Sequence, residues 1–175
     1  MARLIRDPLL TFAKILIIAL MSMAAVSALG MLVGIPIAII NRQEVFGEVL
    51  SQSGVGSTMA MAIIISGFVL MFVLLALLFS FMENLRRIVG SVSNGDPFSP
   101  INATRLGNMG WIMVGVHLVA IPISMIAGWV TSYTGDSELS LGGPGGGILL
   151  IVVLFILARV FKMGAEMRED IEGTV

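Results

Sequence analysis

The chain has 175 residues, 57% of them hydrophobic and 12% charged, with a formal net charge of −1 and a mean hydropathy of +1.03. A soluble domain needs roughly a quarter of its residues charged, so half that amount cannot cover a water-facing globule, and the near-neutral balance gives no footprint for direct nucleic-acid binding. The chain has no cysteine, which excludes a disulfide framework, a thiolate nucleophile and any Cys-based metal site.

All but one of the ten Lys and Arg residues fall in three places. Arg3, Arg6 and Lys14 lie at the N-terminus, Arg86, Arg87 and Arg105 in the middle, and Arg159, Lys162 and Arg168 near the C-terminus. Only Arg42 falls elsewhere. The positive-inside rule reads this as four spans, with both termini and the central loop in the cytoplasm. The expectation is an all-α integral membrane four-helix bundle, N-in and C-in, in a bacterial cytoplasmic (inner) membrane. The spans fall at about 13–40, 59–84, 107–131 and 146–163. Four segments of about 20 residues use nearly half the chain, which leaves a single domain, 1–175.

Asp7-Pro8 starts span 1 with an N-cap followed by proline at the first helical position. The apolar stretch then runs to Asn41, long enough to cross with some tilt. That length outruns the h-region of a signal peptide, although Val26-Ser27-Ala28 resembles a cleavage site. Gly30 and Gly34 form a small-xxx-small pair suited to close helix approach. Pro36 is expected to kink the outer end. In the first outer loop, Val45, Phe46, Val49 and Leu50 share one helical face. This is a short helix that either lies on the membrane or caps the bundle.

Span 2 is almost continuously apolar from Met59 to Met82. Leu85, Ile88, Val89 and Val92 keep the helical spacing beyond it, so the helix continues about three turns into the cytoplasm and ends at Asn94-Gly95. Ser99-Pro100 restarts a helix, whose first turns carry Asn102, Thr104, Arg105 and Asn108. The two helices make a cytoplasmic helical hairpin between spans 2 and 3. Trp111 and Trp129 bracket span 3 at about 18 residues, or roughly 27 Å, the thickness of the hydrocarbon layer. Ala120, Ser124 and Gly128 recur every four residues as a second packing face. Pro122 is expected to bend this helix.

The second outer loop holds Asp136, Glu138 and the run Gly142-Gly143-Pro144-Gly145-Gly146-Gly147. No Lys, Ser or Thr follows in P-loop positions, so the run is read as a flexible, non-helical linker. Span 4 is the shortest. Its helix is expected to continue through the tail, with pairs Lys162–Glu166 and Arg168–Glu172 and a stop at Gly173. The two halves show no internal repeat of the transporter kind.

Few residues invite chemistry. His117, the single histidine, falls inside span 3, where an ionisable group is a functional candidate by default. The plainer reading is a neutral imidazole hydrogen-bonded across helices. Arg86 and Arg87 at the membrane boundary offer a partner or anionic-lipid contact, or merely fix orientation. The 13 methionines are scattered through all four spans as ordinary packing residues. No nucleophile with its base, carboxylate pair or metal set is apparent, so neither an enzyme nor a bound cofactor is expected.

Two stretches, Asn94-Gly95-Asp96-Pro97-Phe98-Ser99-Pro100-Ile101-Asn102 with Arg105-Leu106, and the tail from Phe161 to Val175, carry a family likeness. With four spans they resemble a bacterial membrane family, the domain of unknown function 2975. The matching residues are Gly95, Asp96, Pro97, Phe98, Asn102, Gly164, Asp170 and Glu172. Members of that family are often encoded beside a small helix-turn-helix regulator. The resemblance therefore implies a regulatory or sensory membrane protein with a cytoplasmic DNA-binding partner. Arg86, Arg87, Asp96, Phe98, Asn102 and Arg105 become candidate partner contacts, and His117 a candidate intramembrane polar site. The alternative is a small permease, channel subunit or immunity-type membrane protein that works through its spans. Lipid is an expected partner in either case. Small-residue faces leave open whether helices join within one subunit or in a homo-oligomer.

Overall fold

The computed structural model describes residues 8–52, 54, 56–134 and 145–172, and at 48, 134, 145, 146, 171 and 172 the backbone alone. Arg3, Arg6, Asp7, Asp136, Glu138, Gly142–Pro144 and Gly173 lie outside the described residues. Five helices follow in order: α1 (Pro8–Ile40), α2 (Arg42–Gln52), α3 (Ser57–Ser93), α4 (Pro100–Thr134) and α5 (Gly145–Glu172). All but α2 are long and apolar enough to cross a membrane, so the protein is an all-helical, four-span membrane protein. At 37 and 35 residues, α3 and α4 are each over 50 Å long at roughly 1.5 Å per residue. Both outrun the hydrocarbon layer of about 30 Å.

The spans do not close into a bundle. α1 packs on α3, α3 on α4 and α4 on α5, while the backbones of α1 and α4, α1 and α5, and α3 and α5 do not approach. The arrangement is an open row, which corrects the expected four-helix bundle. The physical reason is that lipid tails are as apolar as leucine, so burial drives no further closure. α1 buries only Ile17.

The expected packing faces are also not the ones in use. An added Cβ would meet nothing within 4 Å at Gly30, Gly34 or Gly128. Close approach occurs instead at Gly67 against Ile126 (3.2 Å) and at Gly110 against the Phe155 ring (3.0 Å). Ile88, Leu106, Met109 and Leu154 form the buried cluster where α3, α4 and α5 meet, with Phe81, Leu85 and Phe161 around it. α2 caps rather than floats. Val49 is 2% exposed, Phe46 lies 6.4 Å from Phe68, and the helix packs on α3 and α4.

One expectation about the second outer loop fails. Gly145–Gly147 are helical, the first turn of α5, although the glycine run reads as non-helical. The His117 ring lies directly over Gly147, where a Cβ would collide with Nε2 and Cε1. Glycine there permits the contact between α4 and α5, at an intrinsic cost of about 1 kcal/mol per residue relative to alanine.

Candidate functional site

The turn between α3 and α4 is built from its backbone outward. Asn94 caps α3, and Gly95 follows with φ +85, the left-handed conformation that glycine adopts without strain. Gly95 N–H donates to Val92 O (3.1 Å) and Asp96 N–H to Ser91 O (3.1 Å). This pair of bonds is the Schellman motif, which satisfies carbonyls that the helix end leaves open.

Asn102 ties this turn to α4. It is 0% exposed, and its side chain bonds on both ends. Nδ2 donates to Ser91 Oγ (2.6 Å) and to Pro97 O (3.1 Å), and Oδ1 accepts from Arg105 Nη1 (3.0 Å). Ser91 Oγ in turn donates to Ile88 O (2.8 Å). Arg105 Nη1 also reaches Arg87 O at 3.3 Å. A buried amide is costly unless paired, and here each polar atom has a partner.

The α5 tail locks onto the same turn. Arg168 Nη1 donates to Asp96 Oδ1 at 2.7 Å, with both side chains about half exposed. The Phe98 ring stands 5.4 Å from that of Phe161. It also covers Gly164, where an added Cβ would come within 2.8 Å of Phe98 Cδ1. Gly95, Asp96, Pro97, Phe98, Asn102 and Gly164, scattered over two stretches of chain, thus meet in one place. The side chain of Glu172 lies outside the described residues.

The family model for a protein of unknown function, DUF2975, matches residues 8–175. The chain belongs to that family. No curated protein and no solved structure matches it. In this DUF2975 protein the residues shared by turn and tail first serve the join between α3, α4 and α5.

The remaining candidates divide between surface and membrane. Glu83 binds both boundary arginines: Oε2 accepts from Arg86 Nε (2.7 Å), while Oε1 accepts from Arg86 Nη2 (2.8 Å) and Arg87 Nε (2.7 Å). One carboxylate thus offsets part of the charge that Arg86 and Arg87 would offer an anion. His117 Nδ1 lies 2.8 Å from Met113 O one turn earlier in α4. A carbonyl can only accept, so the proton sits on Nδ1. The bond runs within the helix rather than across to a neighbour, and the ring makes its inter-helix contact by packing on Gly147. Among the described residues no three of His, Asp and Glu converge as a metal set.

Three partners went unforeseen in the sequence: Ser91 for Asn102, Arg168 for Asp96, and Phe161 for Phe98. The i+3 and i+4 spacing of Arg86 and Arg87 from Glu83 carried a readable signal. Residues 72 apart, such as Asp96 and Arg168, carry none.

Proposed function

We propose that this DUF2975 protein is a non-enzymatic regulatory membrane protein, set N-in and C-in in a bacterial inner membrane. Its α3–α4 turn and α5 tail form one cytoplasmic docking face for a small helix-turn-helix transcription regulator. The observation that carries this reading is the Asp96–Arg168 pair beside Phe98 on Gly164. It fuses the turn and the tail into a single unit, so movement between α3, α4 and α5 changes one shared surface. Ile101 (57% exposed) and Met167 (61% exposed) stand on that unit as apolar side chains among charges, the mixture that partner surfaces use. A membrane signal acts through it by binding two arrangements of the row unequally.

The alternative, a permease, channel subunit or immunity-type protein centred on His117, is less well supported. His117 donates its Nδ1–H to Met113 O of its own helix and packs its ring on Gly147.

The test places a photoreactive residue at Ile101 and, separately, at Met167, in native membranes. Capture of a helix-turn-helix protein, together with altered transcription of its target in an Asp96→Ala, Arg168→Ala strain, supports the reading. Only lipid or self-adducts at both sites, with transcription unchanged on deletion of the whole protein, ends it.

A further inference from the structure

A groove of about 570 Å³ runs between the first turns of α4 and the C-terminal half of α5. Its size lies within the roughly 300–1,000 Å³ of small-molecule sites. The α5 side of this groove is ordered along the helix. Phe155, Arg159, Lys162, Glu166 and Glu169 all line it, and their spacing of four, three, four and three residues puts them on one helical face. At 1.5 Å per residue, the cations stand roughly 6–10 Å beyond Phe155 and the carboxylates roughly 16–21 Å.

Phe155 marks a depth. Its ring lies 5.6 Å from Trp111, a residue type enriched at the membrane–water interface, and the uncharged run of α5 ends just beyond it, before Arg159. The polarity of the groove therefore reads outward from the hydrocarbon as apolar, cationic, then anionic. Arg159 and Glu169 have no ion-pair partner among the described residues, and Lys162 stands 4.0 Å from Glu166, a loose pair open to a third group.

We propose that this groove binds an aminophospholipid headgroup, with the phosphate between Arg159 and Lys162 and the ammonium against Glu166. The order of charges decides the class. Acyl chain, phosphate and primary ammonium follow one another from the hydrocarbon outward, as do Phe155, the two cations and the carboxylates. Phosphatidylglycerol would place its phosphate on the same two cations but ends in a neutral glycerol, which leaves Glu166 and Glu169 without a cation. A choline headgroup has no N–H to donate to a carboxylate. The site needs the membrane placement of α5 and is independent of any protein partner.

The full chain is placed in nanodiscs containing equal parts of phosphatidylethanolamine, phosphatidylglycerol and phosphatidylcholine. Retained lipid is then identified by native mass spectrometry. The expected result is enrichment of phosphatidylethanolamine over both others. Arg159→Gln with Lys162→Gln should lower its retention about fivefold per cation, at about 1 kcal/mol each. Glu166→Gln with Glu169→Gln should shift retention toward phosphatidylglycerol. All four side chains are exposed, and circular dichroism checks that the helices persist. Equal retention of the three lipids, preference for phosphatidylglycerol, or undiminished retention in the cation variant overturns the proposal. So does displacement of the lipid by excess inorganic phosphate, which would identify a free-anion site.

Discussion

Arg168 reaches back across 72 residues to hold Asp96 at 2.7 Å, and this ties the tail of α5 to the turn between α3 and α4. Both side chains are about half exposed, so the pair is worth no more than about 1 kcal/mol and weakens with salt. A double-mutant cycle with Asp96→Ala and Arg168→Ala, read by thermal unfolding in detergent, should give a coupling below that figure. Coupling that is unchanged between low and high salt would contradict this account.

Asn102→Ala should cost far more. It removes three hydrogen bonds, to Ser91 Oγ, Pro97 O and Arg105, around a side chain with 0% exposure, although Ser91 Oγ keeps Ile88 O and Arg105 keeps Arg87 O. Each hydrogen bond lost costs about 0.5–1.5 kcal/mol. The expected loss is therefore at least about 2 kcal/mol, measured by chemical unfolding with the wild type as reference.

Gly164→Ala should force Phe98 from its seat, because the new Cβ would lie 2.8 Å from Cδ1. Overpacking of this kind costs about 1–3 kcal/mol. Adding Phe98→Ala should recover part of that loss. If the double variant is as unstable as the sum of the two single ones, the contact is not what Gly164 preserves.

Gly147→Ala should destabilise the start of α5 by colliding with the His117 ring, and His117→Ala should relieve it. The comparison is the stability of the double variant against Gly147→Ala alone. Relief by His117→Ala but not by a distant substitution identifies steric fit as the role of this pair.

The proposed N-in, C-in arrangement in an inner membrane is open to direct mapping because the chain has no native cysteine. Met167→Cys should react with a membrane-impermeant maleimide only after the inner membrane is breached. Val45→Cys, 53% exposed on α2, should react from the periplasm in intact inner membranes. The reverse pattern would invert the topology.

The ends of helices around the turn were legible in the sequence because their signals are local. Asn94-Gly95 and Ser99-Pro100 act through the backbone of neighbouring residues, and α3 and α4 end and begin there. The mutual arrangement of the helices was not legible. Every face of α1 is apolar, so its periodicity does not tell lipid from protein. For that reason the Gly30–Gly34 face suggested packing, yet it meets nothing. Gly145–Gly147 misled for a different reason: intrinsic propensity opposes a helix, while the His117 ring allows no side chain at position 147. At the site, Asn102 was legible as a polar residue in the first turns of α4. Its burial depends on Ser91, which becomes its neighbour only once the turn has formed.

The open row has a consequence for biogenesis. Each long helix packs on the long helix made just before it: α3 on α1, α4 on α3 and α5 on α4. Apart from α1, whose partner α3 follows it, each long helix finds a partner already in place, whereas the first helix of a closed bundle also waits for the last. Contacts between neighbours in the chain form with the smallest loop-closure penalty, so the layer can grow by one helix at a time as the ribosome delivers it. The docking of Arg168 on Asp96 then follows once α5 has been made.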